Sequence, residues 1–270
     1  MIIGGETVYT VRQGDTLELI GARLGADWWK IARDNNFDPA QYLRAGQEFK
    51  VNTRKIIPTV MQNGIIINIP DRTLYLFKEN RLHAAVPVAL GKPPEKGKRD
   101  WSTPRGKFTI LKKAEEPTWL VPESIQKEMG EEGKPVKTIV PPGPDNPLGR
   151  YAFKISIPGI LIHETIWPRS VYQFRSHGCI RVMPEHMERL FHEVEPDTPG
   201  EVIYVPVKVA LSDAGRVFLE VHRDVYHEIS DMREEVKMRI DKAGLSQKVD
   251  WQKAEKVLKK RSGVAEDVTL

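Results

Sequence analysis

The chain holds a single cysteine, Cys179, among 270 residues. An internal disulfide is therefore impossible. One thiol and seven scattered histidines do not make a zinc site either, so neither a metal nor a cofactor is expected. No run of about 18 apolar residues occurs, which excludes a membrane-spanning helix. The opening residues Met1-Ile2-Ile3-Gly4-Gly5-Glu6 lack a charged segment followed by an apolar one, so no signal peptide is visible. Either the protein stays inside, or its export signal is not part of this chain. A dominant charge is also missing: Lys+Arg 41 against Asp+Glu 37 leaves +4, with a pI near 9.0. That weak basicity suits an anionic polymer or surface without requiring one. No basic run carries interleaved aromatics, so nucleic acid is not an expected partner.

What remains is an ordinary globular composition, 40% hydrophobic and 29% charged, with enough apolar residues for a substantial core. The length predicts about two domains. From Thr7 to Asn52 the pattern reads as strand, helix, helix, strand. Thr7–Val11 alternates. Asp15 or Thr16 is placed to cap a helix over Leu17–Leu24, and Gly25 ends it. A second helix covers about Asp27–Asn35, and a last strand Glu48–Asn52. Residues Tyr9-Thr10-Val11-Arg12-Gln13-Gly14-Asp15-Thr16-Leu17, the Asn35-Asn36 pair and Ala45-Gly46-Gln47-Glu48-Phe49 resemble the LysM module. The resemblance implies binding to N-acetylglucosamine polymers such as peptidoglycan. Trp28 and Trp29 stand adjacent at its centre. Neighbours on a helix lie about 100° apart, so one is expected buried and the other partly exposed.

After a connector containing Pro58, a β-rich segment begins. Strands are expected at Ile65–Ile69, Thr73–Lys78, Leu82–Leu90, Phe108–Lys112, Tyr151–Ile157, Ile160–His163 and Glu201–Val205, with a helix at about Glu185–Glu193 behind Pro184. Residues 115–148 are rich in proline, glycine and charge, and Pro141-Pro142-Gly143-Pro144 cannot form a regular helix or a central strand. So long an irregular segment reads as a lid or binding loop, with Trp119 and Leu120 as its packing residues. Beyond it, Arg216–His222 reads as a strand, and Ile229–Ile240 and Trp251–Lys259 as a charged helical hairpin.

The chemistry concentrates at Ser176-His177-Gly178-Cys179-Ile180-Arg181. Positive charge from His177 and Arg181 would favour the thiolate form of Cys179. His163, sixteen positions upstream, ends an apolar strand. A strand bearing a histidine and a tight turn bearing a thiol suit nucleophilic acyl transfer. Attack on an amide builds charge on the carbonyl oxygen, which backbone N–H groups around Gly178 can meet. His83, His186, His192, His222 and His227 have no such setting.

These residues, with Thr103-Pro104-Arg105-Gly106-Lys107-Phe108, Pro141–Gly149 and Ile162-His163, resemble the YkuD-type L,D-transpeptidases. The resemblance implies an α+β chain with residues 6–53 as a LysM module, 63–207 as a β-rich, β-sandwich-like catalytic domain, and 208–270 as a strand plus helical C-terminal extension. It assigns Cys179 as nucleophile and His163 as general base. His177 and Gly178 shape an oxyanion hole with the Cys179 N–H, Ser176 opens the turn, and Arg181 orders the site. Arg181 could instead pair with Glu185. Glu164 departs from the small residue usual there; the base's third partner in the family is a backbone carbonyl, which any residue supplies.

The implied activity is acylation of Cys179 by a peptidoglycan stem peptide and transfer to an amine. The alternatives are an L,D-carboxypeptidase or amidase on the same peptides and a non-catalytic wall-binding scaffold. Implied partners are glycan strands, stem peptides and carbapenem-type inhibitors. The implied location is the bacterial cell envelope, periplasm or cell wall.

Overall fold

The computed structural model describes residues 1–270. A short strand, Ile2–Ile3, pairs antiparallel with Lys55–Ile56. Between these two strands the chain makes an excursion that is the first module. Strands Glu6–Thr10 and Glu48–Asn52 pair antiparallel and carry helices Leu17–Leu24 and Trp28–Asp34 between them. Thr16 caps the first helix through its hydroxyl, and Asp27 caps the second. Asp15 does other work: it accepts from the Tyr9 hydroxyl (2.7 Å) and the Arg12 N–H (2.8 Å) and pairs with Arg23, closing the turn before the helix. Ile20, Ile31, Phe49 and Val51 fill a small separate core.

The module does not hang free. Ala22 and Leu19 of its first helix pack on Val171 and Met183 of the next domain. The two tryptophans correct expectation. Neither is fully buried: Trp29 is 60% exposed, and Trp28 is half-buried beside it with ring centroids 4.0 Å apart. A seven-residue helix on a core of this size has too little depth to sink an indole.

The β-rich segment forms a nine-stranded sheet in which a ring of eight closes on itself. A β-sandwich-like arrangement was expected; the structure is a barrel. Strand Arg81–Gly91 causes the closure. Residues 81–87 pair with Thr73–Lys78, while Val88 and Ala89 pair with Ile180–Val182 on the far side of the ring. One long strand thus joins both edges of the sheet, which removes the open edges. Phe153, Ile110, Ile162, Leu90 and Ile65 fill the interior. Helix Pro184–Glu193 lays Met187 and Leu190 on it.

Residues 115–148 are more regular than their composition suggested. Trp119–Leu120 pairs antiparallel with Ile139–Val140, and helix Glu123–Glu131 lies between them. The packing residues also differ from expectation: Leu120 is 70% exposed, and Val121, Val140 and Leu148 are the buried ones. Asn146 pins the base of this excursion. Its buried amide donates to the carbonyls of Pro117 (2.8 Å) and Pro141 (3.1 Å), and its oxygen accepts from the Leu148 N–H (2.9 Å).

After the barrel, strands Val207–Leu211, Val217–Val221 and Glu266–Asp267 form a second sheet. Helices Met232–Lys242 and Trp251–Lys260 cover it, with Val236, Ile240 and Val257 inward. No helix of the chain is long and apolar enough to cross a membrane.

Candidate active site

Strand Leu161–Glu164 pairs in parallel with Ile180–Val182, placing His163 opposite Arg181 and Ile162 opposite Ile180. Cys179 immediately precedes the second of these strands. Its Sγ accepts from the Leu161 N–H (3.4 Å) and lies 3.8 Å from the Gly159 carbonyl. Leu161 and His163 alternate on one strand and so share a face. Barrel pairing therefore sets the thiol on the backbone of the strand that carries His163, two residues before it, although sixteen residues separate Cys179 and His163 in the chain.

The turn is tied internally. The Ser176 hydroxyl donates to the Cys179 carbonyl (2.5 Å) and accepts from the Gly178 N–H (3.2 Å). Gly178 has φ +103, a conformation L side chains rarely adopt, and an added Cβ would lie 3.1 Å from the Ile160 side chain. The Thr103 hydroxyl donates to the Gly178 carbonyl at 2.9 Å. The Cys179 N–H has no protein acceptor and is free to donate.

His163 is buried, and its Nδ1 lies 2.5 Å from the Glu164 carbonyl. A carbonyl only accepts, so the ring nitrogen facing Glu164 carries a proton, and the Leu148 backbone also hydrogen-bonds the imidazole. The Glu164 side chain leaves this arrangement intact and folds over Gly149, where φ is +65 and a Cβ would stand 2.6 Å from that of Glu164. Burial, with Arg181 adding to it, lowers the His163 pKa to about 4. The imidazole is neutral at pH 7.

The thiolate expectation is corrected here. Burial raises the Cys179 pKa; the Leu161 N–H and the Arg181 charge oppose it and are outweighed. Burial also lowers the His177 pKa. The resting pair is a neutral thiol and a neutral imidazole, because a desolvated site penalises both ions. Arg181 makes no ion pair with Glu185; its guanidinium lies 5.3 Å above the Trp167 ring. His177 faces the 115–148 excursion: its Nε2 is 2.9 Å from the Glu128 carboxylate, and its ring meets Trp101 edge-on at 4.5 Å.

Trp101, Thr103, Glu128 and Asn146 had no assigned role in the sequence. Thr103 and Asn146 carried a signal, as parts of the Thr103–Phe108 and Pro141–Gly149 motifs; Trp101 and Glu128 carried none. The fold also gathers Asp71, Glu220 and His222, three groups of the kind that ligate metals. Their centre is filled by the Lys208 ammonium, 2.6 Å from Asp71 and 2.8 Å from Glu220, so the cluster fits an ion-pair network better than a metal site.

The model of the YkuD L,D-transpeptidase catalytic domain matches residues 62–209, and that of the LysM domain residues 9–52. The chain belongs to the YkuD L,D-transpeptidase family. It is 26% identical to the probable L,D-transpeptidase ErfK/SrfK of Salmonella typhimurium, over 99% of this chain and 88% of that protein. It is 27% identical to the probable L,D-transpeptidase YcfS of Escherichia coli, over 98% of this chain and 84% of that one. A third relative, the probable L,D-transpeptidase YbiS of Escherichia coli, is 28% identical over 82% of this chain and 71% of its own length. The protein is thus a cysteine-dependent L,D-transpeptidase acting on peptidoglycan, with a LysM domain before the catalytic one.

Proposed function

We propose that Cys179 is the nucleophile, His163 its general base, and the Cys179 N–H the principal oxyanion donor. The observation that carries this reading is the pairing of a free backbone N–H at Cys179 with a neutral imidazole on the adjoining strand, oriented by the Glu164 carbonyl. The thiol proton passes to His163 as Sγ attacks the carbonyl of the stem-peptide donor. The C–S bond forms, and charge gathers on the oxygen at the Cys179 N–H. Collapse expels the terminal residue as an amine, which takes the proton back from the imidazole, and leaves a thioester. An acceptor amine then attacks, losing a proton to His163; an amide forms and the thiol returns.

A resting neutral pair fits this order, because charge then develops only once substrate has displaced water. His177 and Gly178 shape the turn, Ser176 holds it closed, and Arg181 lends positive potential to the thiolate as it forms. The LysM module holds glycan strands, with Trp29 as an exposed stacking surface. Domain limits of 6–53, 63–207 and 208–270 and a place in the bacterial envelope accord with this reading, as does covalent capture of a carbapenem at Cys179.

Incubation with a disaccharide-tetrapeptide, read by mass spectrometry, tests it. Cross-linked dimer is the expected product, and Cys179→Ala should give none. Tripeptide without dimer would make the protein a carboxypeptidase. Dimer formation by Cys179→Ala would refute the nucleophile.

A further inference from the structure

We propose that the C-terminal extension supplies a positioning residue for the reaction, Tyr226, which sets the aim of the oxyanion donor through Thr103. This rests on the reading of Cys179 as nucleophile. Tyr226 lies outside the segment matched by the catalytic-domain model, which ends at residue 209. Yet its side chain is buried in the barrel's own core. The ring lies 5.9 Å from those of Phe174 and Tyr204. Its hydroxyl donates to the Gly91 carbonyl at 2.8 Å and accepts from the Thr103 N–H at 3.1 Å. The Thr103 hydroxyl accepts from the Gly91 N–H (2.9 Å) and donates to the Gly178 carbonyl (2.9 Å).

The last bond decides the geometry. The Gly178 carbonyl and the Cys179 N–H belong to one peptide unit, planar and trans. In a trans unit the two groups point in opposite directions. Holding the carbonyl inward on Thr103 therefore turns the N–H outward, toward the space in front of Sγ. Without that hold, the glycine before it leaves the unit free to rotate. Tyr226 is itself held from behind. Its N–H donates to the Tyr204 hydroxyl (3.0 Å), which donates to Asp224 (2.5 Å). Asp224 also accepts from the Glu228 and Ile229 N–H groups, fixing the loop that delivers the tyrosine. The chain of bonds runs from the extension to the reacting peptide unit without a gap.

Two reagents separate positioning from general support. Acylation by a carbapenem builds an oxyanion; alkylation of the same thiol by iodoacetamide does not. Removing an oxyanion donor outright costs about 10²–10³ in rate. Tyr226→Phe and Thr103→Val leave the donor present but loosely aimed. Acylation should slow by about 10-fold in the first and by about 10- to 100-fold in the second, by that measure. Alkylation at pH 8 should stay within about twofold in both, and Thr103→Ser should recover most of the acylation rate. If both reactions slow together, the two residues merely support the fold and the proposal fails. It fails equally if acylation is unchanged. A wild-type protein that alkylates but never acylates would instead overturn the proposed function, and this assignment with it.

Discussion

Lys208→Met tests whether the extension is welded to the barrel. The Lys208 ammonium is fully buried, 2.6 Å from Asp71 of the barrel and 2.8 Å from Glu220 of the second sheet. Glu220 also accepts from the Ile56 N–H (2.5 Å) and lies 2.6 Å from His222. Asp71 accepts from the Tyr75 hydroxyl (2.8 Å), and its second oxygen has no partner. Burial alone would discharge these groups. Their mutual attraction outweighs it, holding the Asp71 and Glu220 carboxyls below their usual range and the Lys208 ammonium above its own. Methionine matches the length of lysine but removes the cation that touches both carboxylates, leaving them buried with the His222 imidazole and the more distant Lys55 ammonium.

Removing one partner of a buried pair costs about 3–5 kcal/mol. At roughly 2–4 °C per kcal/mol for a chain of this size, the melting temperature should fall by about 6–20 °C at pH 7. The sign of the pH dependence follows from the carboxyls. In the variant they lose the cation that lowered their pKa values, so they bind protons more readily than in the wild type. The deficit should shrink as pH falls from 7 to 5. Adding Asp71→Asn and Glu220→Gln to Lys208→Met should restore part of the loss, since neutral groups are cheaper to bury than unpaired ions. Calorimetric melts at both pH values measure this. A single variant melting within about 3 °C of wild type, or a deficit growing toward pH 5, would refute the reasoning.

Four further perturbations have expected outcomes. His163→Ala should slow acylation by about 10²–10⁴, more than His177→Ala, measured as carbapenem adduct formation at one pH. Because native His163 resists protonation down to about pH 4, the wild type should lose stability as pH falls from 6.5 toward 4. The loss reaches at most about 3 kcal/mol, and His163→Gln should lack it in denaturant titrations; parallel profiles would deny His163 its buried neutral state. Excising residues 6–52 and joining Gly5 to Thr53, already bonded at 2.8 Å, through an Asn-Gly turn should abolish sedimentation with sacculi and spare a soluble muropeptide. The melting temperature should drop by a few degrees as Val171 and Met183 lose their cover. Closing the hairpin directly from Leu120 to Ile139 removes Glu128 from His177 while keeping Asn146 in place. The product ratio should move from dimer to tripeptide, read by mass spectrometry, and an unchanged ratio would make the segment a connector.

Local signals were legible wherever the local chain decides the outcome. Helix Leu17–Leu24 came from a cap, a period and a terminal glycine, all within one short stretch. The reactive turn was readable because a thiol, a glycine and a histidine side by side serve few other purposes. Closure of the barrel was not readable: it depends on one strand reaching two partners, which periodicity does not encode. Regular structure within residues 115–148 was hidden because a two-residue strand pair and a glycine-bearing helix leave too few positions for a pattern. The thiol's ionisation was misread for a related reason. Sequence displays His177 and Arg181 but not the burial, which outweighs the Arg181 charge at the thiol and lowers the His177 pKa. Tyr226 carried no motif at all; only packing brings its hydroxyl between Gly91 and Thr103. The sequence by itself determined which groups can react. The tertiary structure decided how each is solvated and aimed, because desolvation and hydrogen-bond direction are set by neighbours far away in the chain.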